Sequence, residues 1–422
     1  MSDQTQNPGL IDLAPTSAQK FTTRLLPLIL FAAVLLIIPL LGPSRTAYSL
    51  LNAIGINIVF ALSYNMLLGQ TGLLSFGHAV YFGLGAYAAM HGMNAIEAAS
   101  FDGGTWALMP VFALPVLGFA GGALAGAVIG WPSCRNAGVP FAMISLGIAE
   151  LIAAAGFMFV SIFGGEEGIS ADRMNGIEAF GLSLGPISEV YWFIVFWTLI
   201  GVVGMYAFTR TPLGKMGQAV RDNPERVQFV GYDPQRVRYL VFIASGGFAG
   251  LAGGMSAVNY EIITPESLSL LPSGFVLLMA YIGGIRYFAG PLLGAIVLTW
   301  MQSNLSDFSE AWLLYLGLMF IAIVMYAPGG LFGMVLGFAR GIIQPDAAPR
   351  LTRWGALSAA AMVTFAGVIL LTEVAVSRTS GHVFAPGGLP LPPSSPLSWA
   401  LGLALLIGGG WAIRHLSQRF AS

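Results

Sequence analysis

Charge is what this 422-residue chain has least of: Asp, Glu, Lys and Arg together make up 9% of it. A soluble domain carries about 25%. With 56% hydrophobic residues, the shortage excludes a soluble globular fold and predicts an integral membrane protein. A net charge of −1 provides no field to draw nucleic acid, and none is expected as a partner. The single cysteine, Cys134, admits no intramolecular disulfide. Only four histidines occur, none at ligand spacing from His78, so no metal site is expected. They are also too scattered to give the nucleophile and base that a membrane-embedded enzyme needs. A complete phosphate-binding loop is missing too. "PLGKMG" at 212–217 has the Gly-Lys pair but Met216 where Ser or Thr is required, so the chain binds no ATP by that route.

What is abundant is apolar sequence in lengths that cross a bilayer. Such segments lie near 25–42, 48–68, 70–91, 106–130, 138–163, 190–209, 239–259, 311–326, 353–372 and 397–413. The stretch 271–302 is too long for one simple span and is interrupted by "GGIRYFAGP", which reads as two short helices around a turn at Arg286. The expected fold is an all-α polytopic membrane protein with about 10–12 transmembrane helices, some short or broken. Basic residues orient it. With a cytoplasmic N-terminus and two passages in 271–302, 15 of the 18 Lys and Arg fall inside, leaving Arg45, Arg173 and Arg378 outside. Both termini are then cytoplasmic; a re-entrant 271–302 gives the same parity. The first span, after a polar tail at 1–20, has no cleavage-like site following it and reads as uncleaved. Gly118, Gly122, Gly126 and Gly130, then Gly246, Gly250 and Gly254, and Gly290 with Gly294, repeat at every fourth residue and read as close helix packing.

Two features do not fit plain bundle packing. The first is "NMLLGQTGLLSFGHAVYFGLGAY" at 65–87, polar and glycine-rich inside apolar surroundings. Gly69, Gly72 and Gly77 are expected to break or thin the helix, and non-helical backbone at membrane depth is tolerated only inside protein or along a wet cavity. Gln70, Thr71, Ser75, Phe76 and His78 are therefore candidates for a translocation path, or else bond one another across packed helices. Glu150, in the middle of "ISLGIAELIAAAG", joins them, because an intramembrane carboxylate is costly. The second feature is 210–238, the most charged stretch, with six basic and three acidic residues. Asn223-Pro224 opens a short helix whose Val227 and Val230 are expected on one side, ended by Gly231 and Asp233-Pro234. Such a helix either lies on lipid or docks into a groove of a cytoplasmic partner; the acids favour a protein.

Four stretches together resemble a known family: the quoted 65–87 segment, "FAMISLGIAELI" followed by "GGEEGI", "LGKMGQAVRDNPERVQFVGYDPQRVRYLVFIASGGFAGLAGGM", and "APGGLFG" at 327–333. They are similar to the M-type permease subunit of ABC importers for branched-chain amino acids, with relatives for urea, short amides and aromatic acids. The similarity runs from about residue 50 to 338. It implies that 210–238 is the cytoplasmic coupling loop, with Arg221, Asp222, Asn223, Glu225, Arg226, Val227, Val230 and Gly231 docking an ATPase. It also implies a second permease subunit in a heterodimer, two ATP-binding cassette subunits that use the ATP, and a periplasmic binding protein meeting outer loops such as 164–189 and 260–270. The location would be the bacterial inner membrane, and this chain would bind no cofactor itself. Two departures stand out: "GGEEGI" replaces a usually neutral turn, and residues 340–422 extend past the point where such chains commonly end. The division expected is a tail at 1–20, a permease domain at 21–339 and an extension at 340–422 with two more helices. The competing class is a stand-alone secondary transporter or channel that uses Glu150 and His78.

Overall fold

The computed structural model describes residues 29–102, 104–178, 180–309, 311–327, 329–343, 347–380 and 395–419. The 1–20 tail and nearly all of the proline-rich loop before Pro396 lie outside them. The regular structure of the described chain is helical apart from one two-stranded ribbon. The permease-like part comprises α1 (Arg45–Thr71), α2 (Ala79–Asp102), α3 (Leu114–Ser133), α4 (Val139–Met158), α5 (Ile187–Arg210), α6 (Pro212–Asp222), α7 (Pro224–Phe229), α8 (Pro234–Tyr260), α9 (Leu270–Gly283), α10 (Gly290–Phe308), α11 (Trp312–Tyr326) and α12 (Gly330–Ile343). Beyond it come α13 (Ala347–Ser380) and α14 (Pro396–Arg419).

Five helical segments among the described residues are long and apolar enough to cross a membrane alone: Arg45–Thr71, Val111–Ser133, Val139–Met158, Ile187–Arg210 and Pro234–Tyr260. The chain is a multi-pass membrane protein, in which α9 is a shorter apolar helix and α11 and α12 form a bent pair. At 271–302 the expected pair of helices is present as α9 and α10, folded back on each other around residues 284–289. A Cβ at Gly294 would overlap the Met279 carbonyl, so only glycine lets the two backbones lie this close.

The centre of the bundle is α8, which packs on α3, α2 and α1. Its glycine stripe faces the stripe of α3. A Cβ added at Gly122 would come 2.3 Å from the Gly246 carbonyl, and one at Gly250 would come 2.2 Å from the Gly118 carbonyl. In lipid the hydrophobic effect contributes little to helix association, so this backbone-to-backbone approach supplies the dispersion contacts that hold the pair.

At the end of α8 remote from residues 210–238, Ile169–Ser170 and Ile262–Ile263 form the antiparallel ribbon, with Ile169 opposite Ile263. Arg173 fastens the segment further. It donates through Nε to the Leu184 carbonyl at 2.6 Å and through Nη1 to the Asn259 carbonyl at 3.1 Å, and lies 3.6 Å from Glu261. A cation on the free carbonyls of a helix C-terminus also complements its dipole. The two segments expected to be outer loops are thus one tied structure.

The last two helices, α13 and α14, form a tight hairpin: a Cβ at Gly367 would come 2.5 Å from the Leu406 nitrogen. The hairpin meets the rest of the bundle where the Tyr315 hydroxyl of α11 donates to Glu373 of α13 at 2.7 Å.

Candidate translocation site

The helix carrying Asn65 and Gln70 does not break at Gly69. α1 continues unbroken for 27 residues to Thr71, about 40 Å at 1.5 Å per residue, and ends at Gly72 with φ +71°. Of the three glycines expected to break the helix, Gly72 and Gly77 do lie in a break, at 72–78, where no regular helix forms. Gly69 serves another purpose: a Cβ there would come 2.7 Å from the Ile285 carbonyl in the turn between α9 and α10.

The broken segment turns back along the last turns of α1. Its main-chain groups are satisfied by side chains from three neighbours, which is the condition for irregular backbone at membrane depth. The Tyr64 hydroxyl donates to the Ser75 carbonyl at 3.1 Å, the Phe76 amide donates to Ser145 Oγ of α4 at 3.2 Å, and the Ala79 amide donates to Ser273 Oγ of α9 at 3.0 Å. Gly77 fits because a Cβ would come 2.6 Å from the Ser145 carbonyl.

His78 closes the segment and is fully buried. Its Nε2 lies 3.0 Å from Ser63 Oγ, while the Ser63 hydroxyl donates to the Phe60 carbonyl at 2.7 Å. Ser63 has one hydroxyl proton, so Nε2–H is assigned as the donor and Nδ1 as the bare acceptor. The ring stacks on Phe60 at 5.7 Å between centroids and meets Tyr64 edge-on. Ser245 of α8 donates to the Ser63 carbonyl at 2.7 Å, tying this site to the central helix.

Of the other candidates, Thr71 donates to its own helix at Leu67, Ser75 is buried and Phe76 is half-buried. The acceptors Asn65 Oδ1, Gln70 Oε1 and His78 Nδ1 are all buried and make no hydrogen bond in the structure. Glu150 is not with them. Ser145 and Ala149 face the break, and Glu150, turned about 100° further around the helix, lies on the exposed side of α4 near Gly147, whose Cβ position is open. The structure sets Ser75 and His78 against α1 at Tyr64 and Ser63 and Phe76 against Ser145, places Thr71 at the end of α1 beside Gly217 of the 210–238 stretch, and leaves Glu150 on the exposed side of α4.

One feature escaped sequence reasoning. A cavity of about 500 Å³ lies between α1, α9 and α10 at the end remote from residues 210–238. Its signal was present in the polar residues of α1: Asn57, which lines it, donates to Thr299 of α10 at 2.9 Å.

The 210–238 stretch folds as two short helices capped in series. Thr211 Oγ1 accepts from the Gly214 amide at 3.2 Å, Asn223 Oδ1 from Arg226 at 2.9 Å and Asp233 Oδ1 from Gln235 at 2.9 Å. Val227 and Val230 do not share a face, because α7 ends at Phe229 and Val230 is its C-cap residue, outside the helix. Val227 is buried against Val220 and Val237, whereas Val230 is 68% exposed and Phe229 90% exposed. Gly231 ends the turn at φ +90°. Arg221, Asp222, Asn223, Glu225, Arg226 and Gly231 are all exposed. Arg221 reaches back, donating through Nη1 to the Gly69 carbonyl while Asp222 holds Nη2 at 3.0 Å. The exposed loop is thereby bonded to the final turn of α1, immediately before the broken segment.

A family model described as branched-chain amino acid transport system / permease component matches residues 46–328. The chain belongs to this permease family. It is 27% identical over 329 residues to the high-affinity branched-chain amino acid transport system permease protein LivM of Escherichia coli, covering 72% of this chain and 75% of that one. It is 23% identical over 252 residues to LivH of the same organism, covering 57% and 78%. The L-arabinose ABC transporter permease protein AraH of Azospirillum brasilense is 27% identical over 206 residues, covering 45% and 57%. No solved structure matches. The permease is a membrane transport component and not an enzyme. Its matched region contains the broken segment, the cavity and the capped loop, and the α13–α14 hairpin lies beyond it.

Proposed function

We propose that this permease is one half of the membrane channel of an ATP-driven importer for branched-chain amino acids or a related small organic solute. The second half would be another permease chain. The ATP would be used by two separate cassette subunits, and a periplasmic binding protein would deliver the solute. Positive charge at 210–238 supports a cytoplasmic position for that loop, with both termini on the same side in a bacterial inner membrane. The relatives' names support the solute class.

The observation that carries the mechanism is the bond from Arg221 to the Gly69 carbonyl. The exposed Phe229 and Val230 form the apolar knob offered to an ATPase groove, and Arg221 links that knob to the break at 72–78. Closure of the ATPases on ATP then displaces α6 and α7 and shifts the broken segment with them, giving alternating access. Coupling exists because the two states differ in contacts at the loop. Gln70, Thr71, Ser75, Phe76 and His78 act along the path, where the unpaired acceptors Asn65, Gln70 and His78 offer bonds to a passing solute or its water. Glu150, on the open side of α4, fits the face toward the second permease better than lipid. Residues 21–339 act as the permease unit and 340–422 as an added module.

Isolation of the chain from its native membrane in mild detergent, with mass spectrometry of what stays bound, tests the reading. Two ATPases and a second permease are expected. Recovery of the chain alone, where a known ABC permease keeps its ATPases, would refute it and turn attention to a carrier acting by itself.

A further inference from the structure

The cavity between α1, α9 and α10 is not part of the broken segment, yet it ends on it. Phe60 and Phe82 form its floor, with ring centroids 4.7 Å apart. The same Phe60 ring that lines the cavity stacks on His78. Its opening is at the α1 residues Thr46 and Ser49 and at Tyr260, the end of α8 remote from the coupling loop. The cavity therefore extends from the far surface of the permease to the aromatic pair above His78.

Its chemistry is two-sided. Among the described residues, no Asp, Glu, Lys or Arg lines it. One wall is apolar, with Phe275, Val276 and Met279, and the other carries hydroxyl and amide groups, with the bonded Asn57–Thr299 pair at its centre. A solute with net charge would lose hydration here without a counter-charge, which is unfavourable. A solute with one compact polar end and one apolar branch finds a partner for each, and about 500 Å³ is within the usual range of small-molecule sites, roughly 300–1,000 Å³.

We infer that this cavity is a solute-binding station of the permease itself. It takes an amphipathic α-amino acid of zero net charge, with the apolar side chain on Phe275, Val276 and Met279, the polar end on Asn57 and Thr299, and Phe60 with Phe82 closing the way to His78. The inference rests on the importer reading and deepens it. It gives the permease a selectivity of its own, separate from that of the binding protein.

The test uses the complete complex in proteoliposomes with an unaltered binding protein, so that any change in selectivity belongs to the permease. Phe275→Ala enlarges the apolar wall and is expected to change the ratio of leucine to valine uptake by about 3- to 10-fold, the scale of one to a few methylenes of burial. Asn57→Leu is expected to lower uptake of both about tenfold, the loss of roughly one well-placed hydrogen bond. Gln302→Trp, at an exposed rim position, narrows the entrance and slows uptake without disturbing the core. Co-purification of the ATPases verifies assembly of every variant. Unchanged rates and ratios in all three variants, in a complex that imports leucine, would overturn the station and leave the importer reading standing. A parent complex that retains its ATPases but imports no neutral amino acid would overturn the solute class here and in the functional reading together.

Discussion

The Arg221 guanidinium and the Gly69 carbonyl are 152 residues apart in sequence and hydrogen-bonded in the fold. Arg221 stands in the exposed loop and Gly69 in the last turn of a transmembrane helix, so the bond joins the proposed ATPase-docking surface to the break that follows α1. Arg221→Ala is expected to leave the ATPases bound and ATP hydrolysis present while solute uptake per ATP falls about tenfold. That fall is the scale of one charge-assisted hydrogen bond, taken near its lower bound because the side chain is partly exposed. Uptake and phosphate release measured together in proteoliposomes decide it; unchanged stoichiometry would remove Arg221 from the coupling route.

The split of Val227 from Val230 separates docking from folding. Phe229→Asp and Val230→Asp alter exposed side chains and are expected to abolish ATPase co-purification with an unchanged melting temperature. Val227→Asp puts a carboxylate among Val220 and Val237 and is expected to destabilise the loop by several kcal/mol. Thermal melting alongside the pull-down distinguishes them, and retained ATPases in the Phe229 and Val230 variants would move the docking surface elsewhere.

Gly250→Leu is expected to prevent assembly of the bundle, since even a Cβ at that position would lie 2.2 Å from the Gly118 carbonyl. Gly408→Leu, at a site with no atom within 4 Å of the added Cβ, is its control and is expected to accumulate normally. Size-exclusion profiles of the two in detergent read the difference directly.

For His78→Ala, the loss of ring stacking and of the Ser63 bond is expected to cost about 2–4 kcal/mol. The variant should melt well below the parent, and Ser63→Ala should show a smaller fall. An unshifted melting temperature for His78→Ala combined with lost uptake would mean that the ring acts on the solute rather than on the packing.

Tyr315→Phe removes the hydroxyl that donates to the buried Glu373 carboxyl, at about 1–3 kcal/mol. Loosening of the α13–α14 hairpin is expected, with little change in ATPase binding, because the hairpin lies outside 46–328. Hydrogen exchange of the α13 and α14 amides reports the first effect and pull-down the second; equal protection in variant and parent would mean that the hairpin is held by other contacts.

Much of this protein is written in local sequence. Apolar length dictates membrane helices, because lipid offers the backbone no partners. Glycines at every fourth position mark α3 and α8 as closely packed, since small residues are what permit the approach. Asn223-Pro224 and Asp233-Pro234 set helix starts that need only their own side chains. Three features were decided by the tertiary structure alone. The chain breaks after Thr71 rather than at Gly69, because Tyr64, Ser145 and Ser273 from three helices replace the missing helical bonds only there. Val227 turns inward because Val220 and Val237 converge on it, which no periodicity within a six-residue helix can specify. The cavity and the Arg221–Gly69 bond join residues from 46 to 303 and from 69 to 221, and a sequence pattern carries no information about groups that meet only when distant helices are packed side by side.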